Sequence, residues 1–199
     1  MKKQIIFKYF CFLMGLIFFG MGVSLCLRSG FGNNPLGVFV TGVALTTSLS
    51  VGTCNMLNGL FQTFVGIALE RKNVTIGTFI IVFFGSYSID VANMIFPVTD
   101  VMTIRIIYMV AGICSYCLGF SLQQYARCGL GNYDCFIFGL AKALHISDYS
   151  KIRWITDGLY IIGGYLLGGT VGLATVILVF FSGKLVVFFK KQLIKTFGE

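Results

Sequence analysis

The residues Arg28-Ser-Gly-Phe-Gly-Asn33 recur 99 positions later as Arg127-Cys-Gly-Leu-Gly-Asn132. The match extends without a gap from residues 20–61 to residues 119–160, where Asn58 aligns with the near-isosteric Asp157. A low-complexity apolar sequence would match leucines and phenylalanines by chance, but it would not align arginine, glycine and asparagine at fixed spacing.

The repeat continues after a shift of two residues. Residues 78–84 then overlie residues 175–181, with five identities in seven. We therefore predict a single domain, residues 1–199, built from two repeats that cover residues 5–97 and 102–191.

The composition is that of a membrane protein. Charged residues make up 11% of the chain, against roughly 25% in a soluble domain, and the mean hydropathy is +0.90. The chain contains four runs of 19, 41, 21 and 26 residues without a charged residue. Runs of this length indicate membrane spans, because about 20 apolar residues are enough to cross a bilayer. The net charge of +8 comes from basic residues near predicted helix ends, which is typical of membrane flanks rather than of nucleic-acid binding.

Each repeat has the same predicted order of elements. A long first span is followed by a glycine-rich break, a short apolar segment, and then a second and a third span. We predict these segments at residues 7–27, 35–47, 53–69 and 74–96, and again at residues 104–126, 134–146, 152–168 and 171–189. The fold class is thus an all-α polytopic membrane protein with about six spans and two short helices.

The short segments leave two topologies open. At 13 residues each would reach roughly 20 Å at 1.5 Å per residue, less than the roughly 30 Å hydrocarbon core. If the short segments enter the membrane and return to the side they came from, the two halves are inverted, and 13 of 15 Lys and Arg residues lie on the side of the N-terminus. If they cross, the halves are parallel and the division is 11 to 4. Because positive residues favour the cytoplasmic side, we favour the inverted arrangement with both termini in the cytoplasm.

With the repeats aligned, the chain resembles the YczE/YyaS/YitT family of bacterial membrane proteins. The resemblance rests on the order and spacing of short motifs, of which the most specific are Gly30-Phe-Gly32-Asn-Asn-Pro35, Gly129-Leu-Gly131-Asn-Tyr-Asp134 and Leu167-Gly-Gly-Thr-Val-Gly172. It implies a location in the bacterial cytoplasmic membrane and a permease-like appearance. Asn34, Asp157, Ala174 and Lys184 depart from the family's usual residues, which weakens any inference of a shared ligand more than that of a shared fold.

The glycine-rich breaks are the predicted structural elements of a site. We expect Gly30, Gly32, Gly129 and Gly131 to need positive φ or close packing. Asn34 before Pro35 is a typical start of a helix, and Asp134 can cap the second short helix. Discontinuous helices in paired repeats mark the binding sites of many transporters, although a capped turn at the membrane surface would have the same sequence.

Polar residues at matching positions in the repeats predict one shared substrate site: Arg28, Asn33, Asn58, Arg127, Asn132, Asp134 and Asp157. Two arginines would give this site a preference for anionic small molecules. Interfacial positions for the arginines, and a structural ion pair between Asp157 and Lys184, are the alternatives.

Two classes of function remain open. The first is a small-molecule permease, with polar groups of both halves meeting near the bilayer midplane. The second is a non-transporting accessory or scaffold protein with a closed interior. We expect no enzymatic activity, cofactor or metal site, because the sequence contains no HExxH or nucleotide-binding loop. The lipid bilayer is the expected partner, nucleic acid is not, and homo-oligomerisation is not predicted.

Overall fold

The computed structural model describes residues 2–197, with side chains from Ile6 onward. Across these residues the chain forms α-helices and short helical connections, without a β-strand. The helices are α1 Lys2–Ser29, α2 Pro35–Thr47, α3 Val51–Glu70, α4 Ile76–Ile80, α5 Ser86–Ile95, α6 Met102–Ala126, α7 Asn132–Ala143, α8 Tyr149–Leu166 and α9 Leu173–Phe197. A π-helical stretch, Ile81–Gly85, joins α4 to α5, so that Ile76–Ile95 is one continuous helix.

The starts of α2 and α3 follow from local sequence. Asn34 has extended backbone angles and its side chain accepts a hydrogen bond from the amide of Gly37, while Pro35 occupies the first helical position. Ser50 caps α3 in the same way by accepting from the amide of Thr53. These side chains satisfy amides that have no partner within the helix.

Helices α1 and α6 form the antiparallel centre of the bundle. Ser115 donates to the carbonyl oxygen of Phe18 at 2.8 Å, and Gln123 donates to that of Gly15 at 3.2 Å. The backbones approach so closely that a Cβ at Gly22 would lie 2.4 Å from the amide nitrogen of Tyr116. Small residues at such crossings are typical of helix pairs in membranes.

Two further helix pairs run parallel. In the α3–α7 pair, Gln62 meets Asn132 near the start of α7, and Glu70 meets Lys142 near its end. In the α2–α8 pair, the ring centroids of Phe39 and Tyr160 are 5.2 Å apart, and a Cβ at Gly168 would lie 3.7 Å from Leu45. Gly164 also belongs to this contact, so the Gly164-xxx-Gly168 spacing serves packing within the chain.

Each glycine-rich break packs against the start of a helix in the opposite half of the sequence. The carbonyl oxygen of Phe31 accepts from the amide of Ala174 at 2.9 Å, at the start of α9. The carbonyl oxygen of Leu130 accepts from Thr78 at 2.8 Å, in α4. The two halves therefore interlock at both breaks.

Within the part of the chain that the structure describes, four helices are long and apolar enough to cross a membrane: Ile6–Ser29, Ile76–Ile95, Met102–Ala126 and Leu173–Phe197. A fifth span is counted if Pro35–Thr47 and Val51–Asn73, bent by 118° at their junction, act as one. Helix α8 falls short of this apolarity because it carries Lys151, Arg153 and Asp157. The all-helical, membrane-type fold is thus confirmed, with four or five candidate spans rather than about six by this measure.

Candidate functional site

A cluster of polar side chains joins the middles of α3 and α8 to the start of α7. We call it the central polar cluster, and its members are Asn58, Gln62, Asn132, Tyr133, Asp134, Arg153, Asp157 and Tyr160.

Gln62 links three helices within the cluster. Its Nε2 donates to the hydroxyl of Tyr160 at 2.9 Å, and its Oε1 accepts from Asn132 Nδ2 at 2.5 Å. The Tyr160 hydroxyl in turn donates to Asn58 Oδ1 at 3.4 Å. Gln62 is fully buried, so these bonds satisfy polar atoms that would otherwise be costly to hold inside an apolar bundle.

The charged groups of the cluster are contributed by α7 and α8. The Tyr133 hydroxyl donates to Asp157 Oδ1 at 2.5 Å. Arg153 Nη1 lies 3.6 Å from Asp134 Oδ1, and its guanidinium lies 5.6 Å from the centre of the Tyr133 ring. The Arg153 guanidinium thus lies beside the Asp134 carboxylate and over the ring of Tyr133, whose hydroxyl binds the Asp157 carboxylate.

Tyr116 of α6, in the same half of the chain as α7 and α8, links the cluster to the first glycine-rich break. This residue is near the middle of its helix, interacts with the Asn34 side chain at the first break, and lies close enough to Arg153 and Asp157 to interact with both electrostatically. The rings of Phe39 in α2 and Tyr133 in α7 also lie 5.2 and 6.1 Å from the Tyr160 ring, so the first turns of α2 and α7 approach the same region.

The cluster retains unused capacity for hydrogen bonding. The Asn58 Nδ2 atom is buried without a partner, whereas the Asp134 side chain is 32% exposed and that of Arg153 is 53% exposed. A buried amide donor beside reachable charges is an arrangement that can bind a small polar molecule.

The structure brings together four of the seven predicted site residues, namely Asn58, Asn132, Asp134 and Asp157. Arg28 lies elsewhere, at the end of α1, where its Nη2 donates to the carbonyl oxygen of Asn93 at 2.6 Å. Arg127 is exposed at the end of α6 with φ +54°.

Asn33 serves the backbone. Its Nδ2 donates to the carbonyl oxygen of Val23 at 3.0 Å, its Oδ1 accepts from the amide of Asn34 at 2.9 Å, and its own amide donates to Thr175 at 3.2 Å. The asparagine therefore fixes the first break rather than lining the cluster.

The four predicted structural glycines differ in their surroundings. Gly30 and Gly32 have φ of +69° and +94°, a region that side chains disfavour. A Cβ at Gly129 would lie 2.8 Å from the backbone of Gly77. Gly131 has φ of −60° and would place a Cβ 3.6 Å from Asp134, an ordinary contact, so neither reason for glycine applies there.

Sequence reasoning missed the cation of the cluster, Arg153, together with Gln62, Tyr133 and Tyr160. Arg153 and Asp157 are four residues apart on an otherwise apolar stretch of α8, and this spacing was the available signal. The alternative pairing of Asp157 with Lys184 is wrong, because Asp157 is bonded to Tyr133 and Lys184 Nζ lies 5.7 Å from the centre of the Phe181 ring.

Apolar helices of membrane-spanning length around a polar interior define the class: an all-helical protein of membrane type. Within that class, the chain belongs to the family described as "Family of unknown function (DUF6198)", whose model matches residues 6–191. This membership agrees with the resemblance to the YczE/YyaS/YitT family.

Two relatives are similar over most of the chain. An uncharacterized protein of Haemophilus influenzae is 27% identical over 177 residues, which cover 89% of this chain and 80% of the relative. The uncharacterized protein YyaS of Bacillus subtilis is 22% identical over 186 residues, which cover 89% of this chain and 90% of the relative. No solved structure matches the chain significantly.

Proposed function

We propose that the protein is a permease for a small polar molecule, with its substrate site at the central polar cluster. The observation that carries the proposal is the group of Asp134, Arg153 and Asp157, which lies among mainly apolar helices. Ionisable groups are expensive inside a membrane and usually mark a substrate or ion pathway. We assign the site to binding rather than catalysis, because Arg153 and Tyr133 already engage both carboxylates.

We further propose six spans, formed by α1, α3, the continuous helix Ile76–Ile95, α6, α8 and α9, with α2 and α7 re-entrant. The path of the chain supports this topology. After α1 ends, Asn33 lies back at the level of Val23, and α2 then returns to the end where Ser50 and Arg28 line one cleft. Irregular backbone inside a membrane is tolerated where it is buried in protein.

The pairwise contacts support two related halves. The internal repeat aligns α1 with α6, α2 with α7 and α3 with α8. The α3–α7 contact then becomes the α8–α2 contact, and both pairs are packed and parallel. Alternating access would arise if one half rocked against the other around the cluster, as proposed for other transporters with inverted repeats.

The orientation follows from charge. The Phe7 and Phe197 rings lie 5.0 Å apart, so the two ends of the described chain are at the same end of the bundle. Since 13 of 15 Lys and Arg residues belong to that side in the proposed topology, we place both termini in the cytoplasm.

The anionic preference predicted from Arg28 and Arg127 does not extend to the central polar cluster, because neither arginine is a member. Two carboxylates, one guanidinium and the unpaired Nδ2 of Asn58 suit a small molecule that carries both donors and acceptors. A substrate with an ammonium group, or a zwitterion, would satisfy Asp134 and Asp157 and could shift Arg153 away from them.

Accessibility of the cluster tests the proposal. Asn58→Cys is made in a variant whose seven native cysteines are replaced, and it is treated with a membrane-impermeant maleimide in right-side-out and inside-out vesicles. A permease should allow labelling from both faces, since the site alternates between them. The matched control Leu159→Cys, on an exposed apolar face of α8, should remain unlabelled because it faces lipid.

The alternative is a non-transporting accessory protein. The observation that favours it is a cleft of about 570 Å³ at the proposed cytoplasmic end, lined by groups such as Glu70, Lys142 and His145, which a partner protein could occupy. Labelling of Asn58→Cys from one face only, or from neither, would contradict the permease and support this alternative.

A further inference from the structure

A second cleft, of about 750 Å³, opens at the opposite end of the bundle from the two chain ends. We call it the terminal cleft, and its polar lining includes Arg28, Thr41, Asp90, Asn93, Asp100 and Arg105. It lies between the end of α1, the start of α6 and the α2–α3 junction, away from the central polar cluster.

Neutral acceptors hold both arginines of the terminal cleft. Arg28 Nη2 donates to the carbonyl oxygen of Asn93 at 2.6 Å, and Arg105 Nε donates to that of Ser29 at 2.8 Å. The Arg105 guanidinium also lies 5.2 Å from the centre of the Phe31 ring. Among the described residues, no carboxylate is within 4.0 Å of either guanidinium.

Two carboxylates line the cleft, Asp90 and Asp100, and the first is engaged by the start of α3. Asp90 Oδ2 accepts from the Ser50 hydroxyl at 2.6 Å, and Asp90 Oδ1 accepts from the amide of Gly52 at 2.7 Å. Asp90 therefore holds the first turn of α3. Asp100 is more than 4.0 Å from either guanidinium, so neither arginine forms an ion pair with a residue that the structure describes.

Two buried atoms at this cleft lack hydrogen-bond partners. They are Arg28 Nε and the hydroxyl oxygen of Thr41, a residue that is only 7% exposed. Together with Asn58 Nδ2 they are the buried side-chain atoms without a partner in the described part of the chain. Leaving such groups unpaired is unfavourable, and each calls for an explanation such as a missing ligand.

We propose that the terminal cleft binds the phosphate group of a ligand, between Arg28 and Arg105 with Thr41 as an additional donor. Guanidinium groups match the oxygens of phosphate in geometry and charge, and charge-assisted hydrogen bonds are stronger than neutral ones. The phosphate could belong to a free molecule or to a phospholipid headgroup. The inference does not depend on transport, because none of these residues belongs to the central polar cluster.

The experiment uses the full chain purified in detergent. Binding of inorganic phosphate is measured by calorimetry at constant ionic strength, and retention of phosphatidylglycerol is measured by native mass spectrometry. At least one probe should bind. Arg28→Gln and Arg105→Gln should each weaken that binding about tenfold or more, whereas Arg127→Gln, at the opposite end of α6, should leave it unchanged. Loss of phosphate binding indicates a free ligand, and loss of lipid retention alone indicates a headgroup.

Thr41→Val keeps the test informative if an arginine variant fails to fold. Valine has nearly the same shape and removes an unpartnered hydroxyl, so the melting temperature without ligand should be equal to or above that of the wild type. Binding should nevertheless fall severalfold. If the wild type binds neither probe, or if folded Arg105→Gln and Thr41→Val bind both probes as the wild type does, the proposal is overturned.

Discussion

The hydroxyl of Tyr133 donates to Oδ1 of Asp157 at 2.5 Å and thereby attaches the first turn of α7 to the middle of α8. One turn earlier on α8, Arg153 reaches back to Asp134. The short helix is therefore fastened to its neighbour by two polar contacts, both at the residues proposed to bind substrate. Substrate binding would compete with these contacts and could alter the packing of α7, which gives binding a route to conformational change.

Replacing Tyr133 by Phe should lower the free energy of unfolding by about 1 to 3 kcal/mol, because the Asp157 carboxylate loses the hydroxyl that donates a hydrogen bond to it. Chemical unfolding in detergent measures the change. The control is Tyr165→Phe. Tyr165 is exposed near the end of α8, so its replacement should have no measurable effect. Equal stabilities of the two variants would show that the bond contributes little.

Gly32→Ala should lower the free energy of unfolding by more than about 2 kcal/mol. A residue with φ of +94° is strained when it carries a side chain, and the new Cβ would lie 2.6 Å from the amide nitrogen of Gly172. The equivalent Gly131→Ala should cost less than about 1 kcal/mol, mainly by weakening the helix start. Unfolding of both variants tests the difference, and similar losses would contradict the asymmetry of the two breaks.

Gly164→Ala should separate α2 from α8, since its Cβ would lie 2.5 Å from the amide nitrogen of Phe39. The backbone of Phe39 cannot move aside as the tip of a flexible side chain can. We therefore expect the free energy of unfolding, measured by thermal denaturation, to fall by about 1 to 3 kcal/mol. Gly158→Ala on the same helix meets nothing within 4 Å and should be neutral or stabilising by up to about 1 kcal/mol. A neutral Gly164→Ala would show that the two helices pack less closely than described.

The proposed topology predicts the sidedness of two loops. In a cysteine-free background, Lys72→Cys should react with an impermeant maleimide only from the cytoplasmic face, and Val98→Cys only from the outside. Both positions are exposed, so reactivity depends on sidedness rather than burial. Reaction of Lys72→Cys from outside would instead indicate short segments that cross the membrane.

The sequence predicted the membership of the central polar cluster in part. Asn58, Asn132, Asp134 and Asp157 were expected because polar residues recur at equivalent places. Repeat equivalence does not ensure equivalent use, however. Arg28 donates to a backbone carbonyl within a cleft, and its counterpart Arg127 ends a helix at an exposed position.

What the sequence alone determined is the class of the protein, because the length of uncharged runs and the cost of exposing apolar surface to water leave few alternatives. It also located the breaks, since glycine, asparagine and proline act on the backbone within a few residues. Only the tertiary structure decided which polar groups meet. The contact between Gln62 and Asn132 spans 70 residues of sequence. Arg153 rather than Arg28 joins the central polar cluster because of how the parallel helices are juxtaposed, which no local preference specifies.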